Sequence, residues 1–136
     1  MTPKHRRETR LRAWQRGRNA ERLAAWSLRA RGYAILAERY KTPVGEIDLI
    51  ATRIASPFTR KRRNLVFVEV KARATPHRGL ESISPRQQQR IRAAAETFLA
   101  RRAAGHGPVQ CRFDAIIITP GRFGLPRITH RRNAWT

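Results

Sequence analysis

The sequence predicts a single α/β domain in which helices flank a mixed central sheet, in the order α-β-β-β-α-β. Apolar residues recur at helical spacing in one segment near the start of the chain and in another past its middle. Strand-like runs rich in β-branched residues lie between and after these segments. The 136 residues can bury one core, and nothing marks a second domain. We therefore assign residues 1–13 to a basic flexible arm and residues 14–136 to the domain.

The first helix is predicted from Trp14 to Arg31. Its buried stripe follows the i, i+3, i+4, i+7, i+8 spacing of one helix face and consists of Ala20, Leu23, Ala24, Ser27 and Leu28. Gly32 follows the helix, where glycine can adopt the left-handed conformation of a C-terminal cap. Three strands are then predicted, over residues 33–40, 45–52 and 64–73.

The second helix is predicted to begin at Ser84. Ser84 is a natural N-cap, Pro85 suits the first helical position, and Gln87 completes a capping box. The preceding residues 74–83 are predicted to form a connection that contains proline and glycine. A fourth strand is predicted over residues 109–119, followed by a short final strand around residues 127–130.

The charge is strongly unbalanced, with 30 Lys and Arg against 9 Asp and Glu, a formal net charge of +21. Such a surplus attracts polyanions, and nucleic acid is the first partner to consider. The sequence has no apolar run long enough for a membrane span, no secretory signal, no zinc-ligand spacing and no phosphate-binding glycine loop. These absences predict a cytoplasmic protein with no membrane partner.

The few acidic residues say more about function than the many basic ones, because several of them lie within apolar strands. In the segment LVFVEVKAR, side chains alternate across a strand, so Glu69 and Lys71 share a face with Phe67 while the opposite face is wholly apolar. A buried acid is costly unless it is paired or binds a metal. An ion pair between Glu69 and Lys71 at a sheet edge is the alternative explanation.

A second acid lies in the middle of the preceding strand. In GEIDLI, Glu46, Asp48 and Ile50 share one face, and Ile47 and Leu49 share the other. If this strand and the next form a hairpin, Asp48 can approach Glu69 across the ladder. Two adjacent carboxylates repel unless a cation lies between them, and a hard cation such as Mg²⁺ suits their oxygens.

Glu21 lies at the edge of the first helix's apolar stripe. Taken alone, it would be a surface residue that pairs with Arg18 or Arg22. Together with the acids on the strands, it becomes a candidate to line the same site.

In chain order, Glu21, Asp48 and then Glu69-Val70-Lys71 resemble the motif of the PD-(D/E)xK nuclease superfamily, which has the restriction-endonuclease-like fold. The segments GEIDLI, VFVEVKAR and CRFDAIII are more closely similar to the YraN-like uncharacterised bacterial family. That family is itself similar to archaeal Holliday junction resolvases. The resemblance runs from about Gly17 to Phe123, and the final ITHRRNAW also fits it.

The resemblance implies a Mg²⁺ or Mn²⁺ ion held by Asp48, Glu69 and the backbone carbonyl of Val70, with Glu21 acting through a water molecule. It also implies that Lys71 orients or deprotonates the attacking water. The superfamily's name describes proline before the aspartate, whereas Ile47 stands there in this sequence. The implied activity is metal-dependent hydrolysis of DNA phosphodiester bonds, and the resolvases, which cut as pairs, imply a homodimer.

Weaker candidates surround this set. Glu46 is a candidate outer ligand, and Gln87 could contact substrate or serve only as a capping residue. Asp114 has either a catalytic role or, as the favoured reading, a buried salt bridge to an arginine. The basic residues expected to contact a nucleic-acid backbone are Arg60, Lys61, Arg62, Arg63, Arg73, Arg78 and Arg86.

Three functions remain open on the sequence. The first is an endonuclease acting on double-stranded DNA, at branched or damaged structures, because no module for reading bases is visible. The second is a DNA- or RNA-binding module that keeps the nuclease fold without activity. The third is a structural protein associated with RNA or the ribosome, which leaves the acids in the strands unexplained.

Overall fold

The computed structural model describes residues 2–6, 8–9, 19–53, 63–102 and 109–136, with only the backbone of residue 63. Its helices after the arm are α1 (Asn19–Ala30), α2 (Pro76–Glu81) and α3 (Pro85–Arg102). Its strands are β1 (Tyr33–Thr42), β2 (Gly45–Arg53), β3 (Arg63–Ala72), β4 (Val109–Pro120) and β5 (Pro126–Trp135). Over the described ranges, no helix is long and apolar enough to cross a membrane.

The predicted helices form where their capping and apolar residues indicate. Ala20, Ala24 and Leu28 are buried along one face of α1, and Gly32 has a φ of 89°, which confirms the left-handed cap. Ser84 caps α3 by accepting a hydrogen bond from the Gln87 main-chain N–H at 3.1 Å. Residues 14–18, which the sequence assigned to the first helix, lie outside the described residues.

The five strands form one mixed sheet in the order β1-β2-β3-β4-β5. Neighbouring strands are antiparallel except β3 and β4, which are parallel. A parallel pair needs a crossover connection, and α2 and α3 supply it. The mixed α/β class predicted from the sequence is confirmed.

Two apolar layers cover the two faces of this sheet. The layer beneath α1 includes Ala24, Leu28, Val66, Val68 and Ile116. The layer beneath α3 includes Ile50, Phe67, Ile91, Ala94 and Ile117. Because side chains alternate along β3, the residues that share a face with Phe67 point toward α3.

The structure corrects two sequence-based boundaries. Residues 76–81, predicted as part of a connection, form α2, because Thr75 caps the turn by accepting from the Arg78 N–H at 3.2 Å and Pro76 begins it. The final strand was predicted around residues 127–130 but runs over Pro126–Trp135. Its pairing with β4 and the packing of Trp135 stabilise a segment whose polar composition does not resemble a strand.

Strand β2 departs from simple alternation at Asp48. The prediction that Ile47 and Leu49 share a face is wrong, because they belong to opposite apolar layers. The register pairs Leu49 with Glu38 and Ile47 with Tyr40, and Arg39 between them has a φ of 52°. The pair of strands therefore twists at the position where Asp48 leaves the regular ladder.

Both outermost strands are irregular as well. The β1–β2 register shifts between Ile35 and Ala37, and the β4–β5 register shifts between Phe113 and Ala115. Asn133 on β5 has a φ of 50°, a conformation that asparagine tolerates better than most residues. Each edge of the sheet is thus bent within the strand that forms it.

Gly45 holds the β1–β2 turn close to α3. A methyl group at this position would overlap the main-chain carbonyl oxygen of Arg90. We expect Gly45→Ala to lower the free energy of unfolding by about 2–3 kcal/mol, since a backbone cannot retreat as a flexible side chain can. Gly32→Ala is the matched control, because it meets no atom within 4 Å and should cost about 1 kcal/mol from its left-handed backbone alone. Urea denaturation measures both, and equal losses would contradict the close contact.

Candidate metal centre

The site begins where the β2–β3 ladder ends. The last paired residues are Leu49 on β2 and Val68 on β3. The main-chain N–H of Val70, the next one on β3 that faces β2, therefore has no backbone acceptor on β2. It donates instead to the Asp48 carboxylate at 2.8 Å. This hydrogen bond fixes the Asp48 carboxylate beside β3, as the sequence predicted for a hairpin.

Glu69 lies next to Asp48 and is only 6% exposed. Its Oε1 atom accepts from Gln87 Nε2 at 2.7 Å and lies 3.2 Å from the Lys71 ammonium. Lys71 is itself only 16% exposed in its side chain. The ion pair between Glu69 and Lys71, which was the alternative explanation from the sequence, is therefore present, but within a site that also contains a second carboxylate.

The two carboxyl groups disturb each other's protonation. Burial raises the pKa of Asp48, although the Val70 N–H opposes the shift. Burial and then the negative charge of Asp48 raise the pKa of Glu69 to about 8, against the opposing charge of Lys71. Buried carboxyls in contact cannot both ionise at low cost without a compensating cation. Without such a cation, a proton is retained on the pair at neutral pH.

A cavity of about 450 Å³ opens above this pair. Residues from the turn before α3 and from its first two turns form the opposite wall, and the full lining is Glu46, Asp48, Glu69, Ser84, Arg86, Gln87, Arg90 and Ile91. Arg86 and Arg90 are exposed and carry positive charge at the rim. The cavity therefore combines an acidic floor with a basic rim, an arrangement that could receive a phosphate bridged to the floor by a cation.

The donor atoms fit a hard divalent cation. Asp48 and Glu69 present carboxylate oxygens, and Mg²⁺ is commonly bound by one or two carboxylates while it keeps several water molecules. Among the described residues, no group of three or more His, Cys, Asp or Glu side chains could enclose a metal. The pair thus suits an open site, completed by water and substrate oxygens, better than a closed structural site.

The structure does not bring Glu21 to this cavity. Its carboxylate lies 3.8 Å from Arg39 Nε, in a separate pocket lined by Glu21, Arg22, Glu38, Arg39 and Leu49. Arg39 on β1 is thus one ion-pair partner of Glu21, and Arg18, one of the two arginines expected to pair with it, lies outside the described residues. A role for Glu21 at the metal remains a prediction.

The predicted basic contacts are only partly described. Arg86 lines the cavity, Arg73 follows β3 and donates to the Ala72 carbonyl at 2.8 Å, and Arg78 is exposed on α2. Residues 60–62 and the side chain of residue 63 lie outside the described part of the chain. The described cations therefore lie at the end of the sheet to which the candidate site belongs.

Asp114 belongs to a buried hydrogen-bond network away from the cavity. The favoured interpretation of the sequence, a buried salt bridge to an arginine, is confirmed. Asp114 is 0% exposed and accepts two hydrogen bonds from Arg112, each 2.8 Å long. Arg31 can only donate to His130 Nδ1, at 3.0 Å, so His130 Nε2–H donates to Asp114 Oδ2, at 2.6 Å. Burial alone would raise the pKa of Asp114, but the hydrogen bonds from His130 and Arg112 hold it below its ordinary value.

Sequence reasoning missed two of these contacts. Gln87 was expected to close a capping box, yet its side chain reaches across to Glu69, because the start of α3 lies over the end of β3. His130 was not singled out at all, although the i, i+2 spacing of Arg112 and Asp114 on one strand face did signal a salt bridge. Partners on separate elements leave no local pattern in the sequence.

Comparison with known proteins places these residues in a family context. The model of the uncharacterised protein family UPF0102 matches residues 20–118, which include Asp48, Glu69, Lys71 and Asp114. The chain belongs to the UPF0102 family. A UPF0102 protein of Rhodopseudomonas palustris strain HaA2 is 47% identical over 113 residues, covering 83% of this chain and 81% of the relative.

Other UPF0102 proteins show similar identity over most of their length. One from Bradyrhizobium diazoefficiens is 46% identical, and the match covers 92% of this chain and 86% of the relative. Another from Maricaulis maris strain MCS10 is 45% identical, and the match covers 93% of this chain and 89% of the relative. These UPF0102 relatives confirm the YraN-like family predicted from GEIDLI and VFVEVKAR. The names of these relatives assign no activity to them.

Proposed function

We propose that this UPF0102 protein is a metal-dependent endonuclease that hydrolyses phosphodiester bonds in DNA. The observation that carries the proposal is the contact of the buried Glu69 carboxyl group with the half-buried carboxyl group of Asp48, beside the mostly buried side chain of Lys71. A structural sheet gains nothing from such a pair, whose burial and mutual repulsion are costly. The pair becomes favourable when a divalent cation neutralises it.

Asp48, Glu69 and the Val70 carbonyl would hold Mg²⁺ or Mn²⁺. When bound, the metal supplies a Lewis acid for the phosphate and lowers the pKa of a water molecule. The chain contributes the rest. Lys71 holds a positive charge 3.2 Å from Glu69, where it can orient the attacking water and oppose the extra negative charge that phosphorus gains on attack. Arg86 and Arg90, at the cavity rim, bind the phosphates on either side.

DNA is the proposed substrate because both the positive net charge of the chain and the proposed metal site suit a molecule with a phosphate backbone. A net charge of +21 attracts a phosphate backbone without selecting a sequence. Binding should therefore weaken steeply as salt concentration rises, while any preference among DNA molecules must come from their shape. Branched or damaged DNA is the class on which we expect the highest activity.

The test is cleavage of labelled duplex, flapped and four-way DNA with Mg²⁺ or Mn²⁺, compared with chelator. Cleavage that needs the metal and disappears in Asp48→Asn supports the proposal. Salt-sensitive binding with no cleavage of any substrate would instead favour a DNA-binding module that retains the fold. Cleavage that continues in Asp48→Asn at the wild-type rate would show that another site or a contaminant is responsible.

Gln87 offers a finer test of the same centre. We expect Gln87→Ala to weaken activity or metal affinity about 10- to 100-fold, because a residue that orients a metal ligand typically has an effect of this size. The matched control is Gln88→Ala, since Gln88 Nε2 donates to the Ile83 carbonyl at 3.3 Å and does not line the cavity. Titration of Mg²⁺ against cleavage rate measures both. Equal effects of the two variants would contradict a specific role for Gln87.

A further inference from the structure

The turn between β4 and β5 carries large apolar side chains that are exposed to solvent. Phe123 is 98% exposed and Leu125 is 67% exposed. In contrast, Phe67 is fully buried and contacts Phe98 and Phe113 in the core. Phe123 therefore presents a whole aromatic ring to the surroundings at the tip of a hairpin.

The turn holds this ring outward in a defined conformation. The Leu125 N–H donates to the Arg122 carbonyl at 3.0 Å, and Gly121 packs so closely against the Leu125 carbonyl that no side chain fits there. Phe123 has φ 56° and ψ 27°, a left-handed backbone that is uncommon for a bulky residue. Such local strain at an exposed aromatic residue is typical of binding sites.

The charges around the ring fit a polyanion. Arg122 and Arg127 flank Phe123 and line the same surface pocket. From Ala115 to Thr136 the sequence has four arginines and no acidic residue. Both arginines beside the ring are exposed, so their charge is available to a partner. Aromatic rings bordered by arginines suit nucleic acid, whose bases stack and whose phosphates pair with the guanidinium groups.

The turn lies at the same end of the sheet as the candidate metal centre. Strands β3 and β4 are parallel, and Lys71 is paired with Ile117. Strand β4 continues beyond that pair to Pro120 before the turn begins. Three strand residues span about 10 Å, and Phe123 lies three residues farther along the chain, in the turn.

We infer that Phe123 stacks on an unpaired base of the DNA substrate, a few nucleotides from the phosphate that is cut, while Arg122 and Arg127 bind the adjoining phosphates. This inference rests on the proposed nuclease function. It names the substrate as DNA with an unstacked base near the cleavage site. Fully paired DNA is the poorer ligand, because insertion of a ring into a duplex must first separate stacked bases, at a cost of a few kcal/mol per step.

The test compares two labelled DNAs of equal length, one fully paired and one with a two-nucleotide bulge, by fluorescence anisotropy at fixed salt without divalent ions. Wild type should bind the bulged DNA more tightly. Phe123→Ala should lower affinity for bulged DNA about tenfold, the lower part of the range for loss of a base–aromatic stack, and change duplex affinity less than about twofold. Phe123→Trp should keep the preference, because the ring is retained.

Leu125→Ala is the matched control, since it removes an exposed apolar side chain from the same turn and should alter neither affinity. An equal loss on both DNAs, or no loss in Phe123→Ala, overturns the inference. A change in oligomeric mass of Phe123→Ala by light scattering would assign the ring to a contact between copies and would overturn it too. The melting temperature should not fall in Phe123→Ala, because the ring is 98% exposed.

Cleavage separates this inference from the proposed function. With Mg²⁺, wild type should cut the bulged DNA at a fixed position within a few nucleotides of the bulge. Preference for bulged DNA that depends on Phe123, without any cleavage, would overturn the nuclease and leave stacking intact. Metal-dependent cleavage that Phe123→Ala leaves unchanged in rate and position would overturn the stacking alone.

Discussion

Replacing Glu69 with glutamine is expected to lower metal-dependent DNA cleavage by about 10³-fold or more. The change keeps the size of the side chain and its capacity to accept from Gln87, but removes the charge that would bind the cation. Metal catalysis contributes several kcal/mol of transition-state stabilisation, and each 1.36 kcal/mol corresponds to tenfold in rate. The measurement is the single-turnover rate at saturating enzyme with Mg²⁺.

The same substitution should leave the stability of the metal-free protein nearly unchanged. Without a cation the carboxyl pair retains a proton at neutral pH, so glutamine replaces a carboxyl group that is largely uncharged in the metal-free protein. An unchanged melting temperature together with lost activity would exclude misfolding as the cause. Glu81→Gln is the control, since that glutamate is exposed on α2 and pairs with His77. Full activity in Glu69→Gln would refute the proposed site.

Replacing Asp114 with asparagine is expected to lower the free energy of unfolding by about 3–5 kcal/mol, the usual cost of removing one partner from a buried ion pair. Arg112 would lose its counter-charge, and the asparagine amide could not accept from all of the present donors, which include His130 and the Asn133 N–H. Domains of this size are stable by only about 5–15 kcal/mol. Urea denaturation at neutral pH should therefore show a large fall in the midpoint.

The acid sensitivity of the fold should change in the same variant. Because the folded-state pKa of Asp114 is lower than its ordinary value of 3.8, its contribution to stability is complete above that value and is lost as pH falls through the folded-state pKa. Asp114→Asn should lose less stability than wild type as the pH falls below 3.8, the ordinary pKa of the aspartate. Glu38→Gln is the control, because the ion pair of Glu38 with Arg29 is exposed to solvent and long, at 3.8 Å. An unchanged acid slope in Asp114→Asn would contradict the proposed linkage.

The sequence contained enough information for most of the fold because its signals are local. The N-cap at Ser84 and the left-handed glycine after α1 depend on a few neighbouring residues, and both were predicted correctly. Alternation placed Glu69 and Lys71 on the face that points to α3. It failed at Ile47, because the twist opposite Arg39 depends on how two strands pair and leaves no trace in the alternation of either strand.

The part of the candidate site that depends on strand pairing could be predicted from the sequence, and the part that depends on helix packing could not. Asp48 and Glu69 could be brought together from strand pairing alone, since the hairpin fixes their register. Gln87 could not be placed, because its approach to Glu69 depends on how α3 packs on the sheet. Glu21 was grouped with the strand acids by its order in the motif, whereas its position depends on the tilt of α1 and on Arg39.

The bent outer strands also affect how copies of this chain can associate. A flat edge strand offers unpaired main-chain groups to another strand, and irregular or charged edges prevent that pairing. Here β1 carries a register shift and Arg39 in a left-handed conformation, while β5 carries Asn133 in that conformation and adjacent arginines. Both edges are therefore poorly suited to pairing with the same strand of a second copy. We expect any dimer formed on DNA to use helices or loops instead of a continuous sheet.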